Sequence, residues 1–131
     1  MNGSTNDYIT YRLEKSNQTY NDAKLLAGNK SWNSCVNRLY YACFYAVSAL
    51  LIKNNFEAKS HNGIRSIFFR EFIKTGKVHK DFGRLYSDLF DWRNKGDYSD
   101  FFDFGAEDVL PLLEKTEKFI NVIVKIIKTS T

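Results

Sequence analysis

Hydrophobic residues recur at helical spacing along most of the chain and predict an all-α fold. The clearest stripe occupies the i, i+3, i+4, i+7 and i+8 positions of one helix face, with Phe82, Leu85, Tyr86, Leu89 and Phe90. Polar turns and glycines separate the periodic stretches. The pattern favours an up-and-down bundle of four to five antiparallel helices. The predicted helices cover residues 8–27, 32–53, 60–76, 82–96 and 106–128.

The second predicted helix is apolar on nearly every side, which is typical of the central helix of a bundle. Ala42, Ala46 and Ala49 allow a neighbouring helix to approach closely. Arg38 interrupts the apolar surface near the start of this helix, so it needs a partner or an interface. The apolar run 39–52 is interrupted and too short for a membrane span, so no membrane association is expected.

The chain has 131 residues, which fits one domain with its own core. Residues 1–7 are polar and are predicted to be disordered or frayed, and residues 8–131 are predicted to form the single domain. At about 1.5 Å per residue, Cys35 and Cys43 lie roughly 12 Å apart on one helix, too far for a disulfide. Both are expected to be buried and reduced, which indicates a cytoplasmic protein.

The net charge of +4 and the isoelectric point of about 9.0 permit an anionic partner such as RNA or a nucleotide, but ordinary solvated lysines would give the same balance. A basic patch is predicted across the third helix and the turn after it. It could hold a nucleic-acid backbone, dock an acidic partner or be a solvated face. Its members are Lys59, His61, Arg65, Arg70, Lys74, Lys77, Lys80 and Arg84.

Arg93 is the strongest candidate for chemistry. One further turn of the fourth helix's apolar stripe reaches it, and a guanidinium in that position must be paired, exposed at a groove or placed at an interface. Its planar fork of donors suits phosphate, and Asn94 and Tyr98 add neutral donors nearby. The alternative is an ion pair of Arg93 with Asp97 that ties the helix end to the next loop.

Any acid–base histidine must be one of the two in the chain, His61 or His79. His61 lies at the start of the third helix, where it could instead be a capping or surface residue. His79 lies in a polar turn and is expected to be a surface residue. No spacing of cysteines and histidines suggests a metal site, and no cofactor is expected.

Three stretches together resemble the HEPN superfamily, in particular its small single-domain bacterial and archaeal branch. They are VNRLYYACFYAVSALL (36–51), KSHNGIRSIF (59–68) and LYSDLFDWRNKGDY (85–98), and the resemblance covers about residues 8–128. It implies a helical bundle that is usually homodimeric. Many HEPN proteins are metal-independent endoribonucleases, and others accompany a minimal nucleotidyltransferase in toxin–antitoxin pairs.

The family's catalytic motif is an arginine followed, after four to six residues, by a histidine. By resemblance, Arg93 matches the arginine and Asn94 the polar residue after it, but Tyr98 stands at the histidine position. Tyrosine, with a reference pKa near 10, is a poor base at neutral pH. His61 could replace the missing histidine only if the start of the third helix approaches the end of the fourth.

The resemblance therefore implies a metal-independent endoribonuclease or toxin-like effector, with Arg93, Asn94, Tyr98 and His61 in a dimer cleft. The residues predicted to bind a nucleic acid or nucleotide are Arg38, Lys59, Arg65 and Arg93. The alternative is a non-catalytic RNA- or nucleotide-binding module that partners a minimal nucleotidyltransferase, with Tyr98 as a site that the partner modifies. A plain interaction bundle, in which the cluster is only a helix cap, also stays open.

Overall fold

The computed structural model describes residues 3–98 and 102–129, and the side chains of residues 4–96 and 102–129. Across these ranges the chain forms five α-helices and no strand, which confirms the predicted all-α bundle. A single π-helical turn, Phe69–Ile73, follows the third helix. The helices are α1 Gly3–Gly28, α2 Trp32–Lys53, α3 His61–Phe68, α4 Lys80–Tyr98 and α5 Ala106–Thr129.

α2 is the central helix and packs against each of the other four. Its inward side chains, including Leu39, Tyr40 and Val47, have no exposed surface. Ser16 of α1 donates a hydrogen bond to the carbonyl of Ala42 over 2.7 Å, so α1 approaches α2 closely at the predicted small residue. These contacts confirm the prediction that the helix apolar on all sides lies at the centre.

α2 is long and apolar enough to cross a membrane, contrary to the expectation drawn from the shorter run 39–52. In the bundle, however, 72% of its most apolar window is buried against the other helices. Its hydrophobicity is therefore accounted for by its position in the core of the domain.

Both cysteines lie in α2, buried and without a disulfide, as predicted. Burial raises the pKa of Cys35 to about 11 and also raises the pKa of Cys43. A thiol must lose its proton to act as a nucleophile, so neither cysteine is suited to nucleophilic chemistry at neutral pH.

α1 begins at Gly3 rather than near residue 8. The fraying of residues 1–7 stays a prediction. α4 also runs past Gly96, where the sequence pattern placed its end. A methyl group on Gly96 would lie 3.0 Å from the ring of Phe104, so this glycine allows a close approach rather than stopping the helix.

The third predicted helix is divided in two. Ser60 caps α3 as its hydroxyl accepts a hydrogen bond from the amide of Gly63 over 2.9 Å. After Phe68 the backbone widens into the π-helical turn, closed by a bond from the amide of Lys74 to the carbonyl of Phe69 over 2.8 Å. Phe68 before the turn and Phe72 within it are both buried, so the turn keeps two large rings in the core.

Asn33 of α2 ties the segment before α5 to the bundle. Its amide nitrogen donates to the carbonyls of Gly96 and Phe102 over 3.4 and 3.2 Å, and its oxygen accepts from the amide of Phe104 over 2.9 Å. Phe104 is buried, which confirms that the described part of this aromatic segment packs back on the bundle. The end of α4 is held in place by the same side chain.

Candidate functional site

The guanidinium of Arg93 lies on a group of aromatic rings where α4 crosses α2. Its central carbon is 4.4 Å from the ring centre of Tyr40, 5.4 Å from that of Phe90 and 5.7 Å from that of Tyr41. These are cation–π distances. Arg93 is half-buried, and its position confirms that the apolar stripe of α4 leads to this residue.

The hydrogen bonds of Arg93 go to neutral groups. One terminal nitrogen donates to the side-chain oxygen of Asn94 over 3.0 Å, and the other reaches the hydroxyl of Tyr41 at 3.5 Å, a weak contact. No described carboxylate forms an ion pair with Arg93. The side chain of Asp97 lies outside the described residues, so the Arg93–Asp97 pair stays a prediction. The guanidinium thus keeps donors that could bind a phosphate.

His61, the first residue of α3, lies against the same rings. Its Nδ1 is 2.6 Å from the hydroxyl of Tyr40, and its ring stacks on Phe44 with centres 4.2 Å apart. Tyr41 presents its ring edge-on to the imidazole at 5.8 Å. Nε2 is therefore the nitrogen left for an acid–base role.

The site keeps His61 neutral and Tyr40 protonated. Burial lowers the pKa of His61 below its ordinary value, and the positive charge of Arg93 lowers it further. Burial raises the pKa of Tyr40 to about 12, although Arg93 acts in the opposite direction. A hydroxyl can donate to Nδ1 or accept from it, so the bond survives in either tautomer and Nε2 can give or take a proton.

We refer to Tyr40, Tyr41, Phe44 and Phe90 as the aromatic cluster. Besides Arg93 and His61, two more predicted residues lie on it. The guanidinium carbon of Arg38 lies 5.0 Å from the ring centre of Tyr41. The guanidinium carbon of Arg65 lies 4.1 Å from the ring centre of Phe90.

The two additional arginines have different partners. Arg38 donates twice to the side-chain oxygen of Asn37, over 3.0 and 2.7 Å. Arg65 lies 3.8 Å from the carboxylate of Asp91, which is 69% exposed. An exposed acid at this distance holds an arginine weakly. Arg65 therefore remains able to bind an anion beside the aromatic cluster.

Comparison with known proteins identifies the family. The model of the HEPN domain matches residues 9–127. This chain belongs to the HEPN family. A UPF0332 protein of Thermotoga maritima is 42% identical over 120 residues, which cover 92% of this chain and 91% of the relative.

Two archaeal relatives of this HEPN chain carry more specific names. Putative toxin MJ0142 and Putative toxin MJ0605, both of Methanocaldococcus jannaschii, are each 28% identical to it. The first match covers 83% of this chain and 74% of the relative. The second covers 98% of this chain and 95% of the relative.

Not every predicted residue of the HEPN site lies on the aromatic cluster. Asn94 is exposed and contacts Arg93, and Lys59 lines a separate cavity. The side chain of Tyr98 lies outside the described residues. His79 is exposed in its turn, where it lies 3.5 Å from the carboxylate of Asp81. Among the side chains of residues 4–96 and 102–129, no three from histidine, cysteine or acidic residues are placed to hold a metal ion.

The sequence interpretation missed Tyr40 and Tyr41, which contact the charged residues of the candidate site. Neither residue has a predicted role, because the apolar pattern on nearly every side of α2 indicates only burial. The signal that could have found them is their hydroxyl groups, since a buried tyrosine usually needs a hydrogen-bond partner. Tyr40 has no exposed surface and finds its partner in His61.

Proposed function

We propose that this HEPN protein is a toxin-like endoribonuclease whose own side chains supply the acid–base and charge chemistry. The observation that carries the proposal is the meeting of Arg93 and His61 on opposite parts of Tyr40. Arg93 lies on its ring, and His61 binds its hydroxyl. A fixed cation and a neutral imidazole are two of the three groups that cleavage of RNA needs, and the third is an acid for the leaving oxygen.

In the proposed reaction, the 2′-hydroxyl of RNA attacks the neighbouring phosphorus and the bond to the 5′ oxygen breaks. Nε2 of His61 takes the proton of the 2′-hydroxyl, and Arg93 stabilises the negative charge that develops on the phosphate. The products are a 2′,3′-cyclic phosphate and a 5′-hydroxyl. The leaving oxygen needs a proton, and Tyr98 is the residue of the RNKGDY motif that could donate it.

The surroundings of this pair suit RNA. Aromatic rings stack on unpaired bases, and Arg38 and Arg65 add positive charge at the rim of the aromatic cluster. The two toxin-named relatives are consistent with such an activity. The proposal includes a homodimer that brings two sites into one cleft, and a cytoplasmic location, as the HEPN resemblance implies.

The test is cleavage of a mixed, end-labelled RNA pool by the purified protein in EDTA. We expect cyclic-phosphate ends from the wild type and a loss of about 100-fold or more in rate for both Arg93→Ala and His61→Gln. The matched control is His79→Gln, which removes the other histidine, exposed in its turn, and should cleave normally. Wild-type rates from His61→Gln would contradict the assignment.

The second candidate function is a binding module that partners a minimal nucleotidyltransferase, and Tyr98 at the histidine position favours it. Under this proposal the folded protein cleaves no RNA but binds RNA or a nucleotide, and Arg93→Ala weakens that binding. Incubation with such an enzyme and ATP should then transfer AMP from the α-phosphate of ATP to the hydroxyl oxygen of Tyr98, with release of pyrophosphate. Tyr98→Phe should abolish this transfer.

A further inference from the structure

A cavity of about 300 Å³ lies between α1, α2, the loop 54–60 and α3. Arg12 of α1 and Lys59 of the loop bring positive charge to it, and Ser48 contributes a hydroxyl group. Its other lining residues are apolar and include Phe44 and Phe56. This volume is at the lower end of the range for small-ligand sites, about 300–1,000 Å³.

The charge of the cavity is not balanced by the protein. None of its lining residues is acidic, and the nearby Glu57 is exposed and outside the lining. Neither Arg12 nor Lys59 forms an ion pair with a described carboxylate. An arginine cannot shed its charge, so the cavity offers a fixed cation to an anion.

Arg12 is also short of hydrogen bonds. Its Nε is buried without an acceptor, and the nearest described partner for its charge is the ring of Tyr45, 5.7 Å from the guanidinium carbon. Leaving a buried charged donor unpaired costs free energy. An anion on the accessible part of the guanidinium would offset part of that cost.

Phe44 connects the cavity to the site described above. It lines the cavity and also stacks on His61. The cavity and the imidazole are therefore separated by a single ring. Tyr8 lies one helical turn before Arg12 in α1 and is 59% exposed, although it does not line the cavity.

We propose that this cavity is a phosphate-binding pocket for a nucleotide unit, with Arg12 and Lys59 as the phosphate ligands and the apolar wall as the surface for sugar or base. The role of this pocket as the subsite for the nucleotide next to the cleaved bond rests on the proposed function. Its binding of a phosphate group is independent of that function, because the pocket is lined by residues other than Arg93 and His61.

The experiment is a titration of ¹⁵N-labelled protein with AMP, with adenosine and with inorganic phosphate, followed by backbone amide shifts. AMP should shift the amides around Ser48 and Lys59 saturably, and adenosine should bind about tenfold more weakly. Arg12→Met keeps the apolar part of the side chain and should lower the affinity for AMP about tenfold. Lys24→Met, which removes a cation of α1 that lies over Tyr20, is the matched control.

Two further variants guard against a folding defect at Arg12. Arg12→Lys keeps the charge and should retain part of the affinity. Lys59→Met alters only an exposed loop residue and should also lower the affinity for AMP. Equal affinity for adenosine and AMP would overturn the proposal, as would AMP binding that Arg12→Met and Lys59→Met leave unchanged.

The outcome is separable from that of the nuclease test. Arg12→Met and Lys59→Met should weaken AMP binding whether or not the wild-type protein cleaves RNA, so failure of either test leaves the other standing. Loss of AMP binding in Arg93→Ala alone would place the anion at the aromatic cluster and refute the pocket. A short RNA that competes with AMP identifies a strand as the source of the phosphate, and failure to compete identifies a free nucleotide.

Discussion

The hydroxyl of Tyr40 and Nδ1 of His61 lie 2.6 Å apart, and this hydrogen bond joins the central helix to the first residue of α3. The same phenol ring carries the guanidinium of Arg93 on α4. Three helices therefore meet at one side chain that has no exposed surface. The imidazole is held by a rigid partner, as a catalytic histidine requires.

Removing this hydroxyl tests the positioning. Tyr40→Phe keeps the ring under Arg93 but leaves Nδ1 of His61 without its partner. We expect the cleavage rate to fall about fivefold, since a hydrogen bond contributes about 1 kcal/mol. Single-turnover cleavage measures the effect. Tyr20→Phe is the control, because it removes the hydroxyl that donates to the carbonyl of Leu113 on α5. An unchanged rate in Tyr40→Phe would mean that His61 needs no orienting partner.

The charge of Arg93 should be visible in the titration of His61. In a His79→Gln background, which leaves one histidine signal, the pKa of His61 should lie below the ordinary value of about 6.5. Arg93→Gln should raise this pKa, because it removes the positive charge that disfavours imidazolium. NMR of the imidazole protons measures both. An unchanged pKa of His61 in Arg93→Gln would show that the charge of Arg93 does not affect the imidazole.

The same lowered pKa makes folding depend on pH. The unfolded chain binds the proton of His61 more readily, so the free energy of unfolding rises with pH between the folded and unfolded pKa values. The contribution is complete above about pH 6.5 and is lost as the pH falls through the folded value. Melting curves should therefore show a smaller loss of Tm between about pH 7 and pH 5 in His61→Gln than in the wild type.

The shape of the cation at position 93 should matter as much as its charge. Arg93→Lys keeps the charge but replaces a planar fork with a point charge, so we expect cleavage to fall at least about tenfold. Arg84→Lys, at an exposed position of the same helix, should cleave normally. Full activity in Arg93→Lys would show that only the charge is used.

Sequence periodicity located Arg93 well, because the stripe of Leu89 and Phe90 continues along a regular helix to the aromatic cluster. The approach of His61 could only be stated as a condition, since it depends on how α3 and α4 lie across α2. The π-helical turn was missed because its widened backbone reflects the burial of Phe68 and Phe72 rather than a local signal. The prediction that α4 ends at Gly96 was wrong, because this glycine allows the ring of Phe104 to pack closely against the helix.

Asn33 should stabilise the C-terminal end of α4, where the RNKGDY motif lies, through its hydrogen bond to Gly96. Asn33→Ala removes the hydrogen bonds to Gly96, Phe102 and Phe104, and we expect the free energy of unfolding to fall by about 1–3 kcal/mol. Urea unfolding measures the loss, and hydrogen exchange should show faster exchange at the amide of Phe104. Asn21→Ala, at an exposed position of α1, serves as the control. A local change with unaltered global stability would mean that the segment opens independently.

The central position of α2 limits how this protein can acquire new preferences. Tyr40 belongs to the core and to the proposed site at once, so a substitution that retunes recognition there also disturbs the packing of the whole domain. The neighbouring residues Arg38 and Arg65 do not have both roles, because each is only partly buried. A change in ligand preference at little cost to folding is therefore expected at Arg38 and Arg65 rather than at Tyr40.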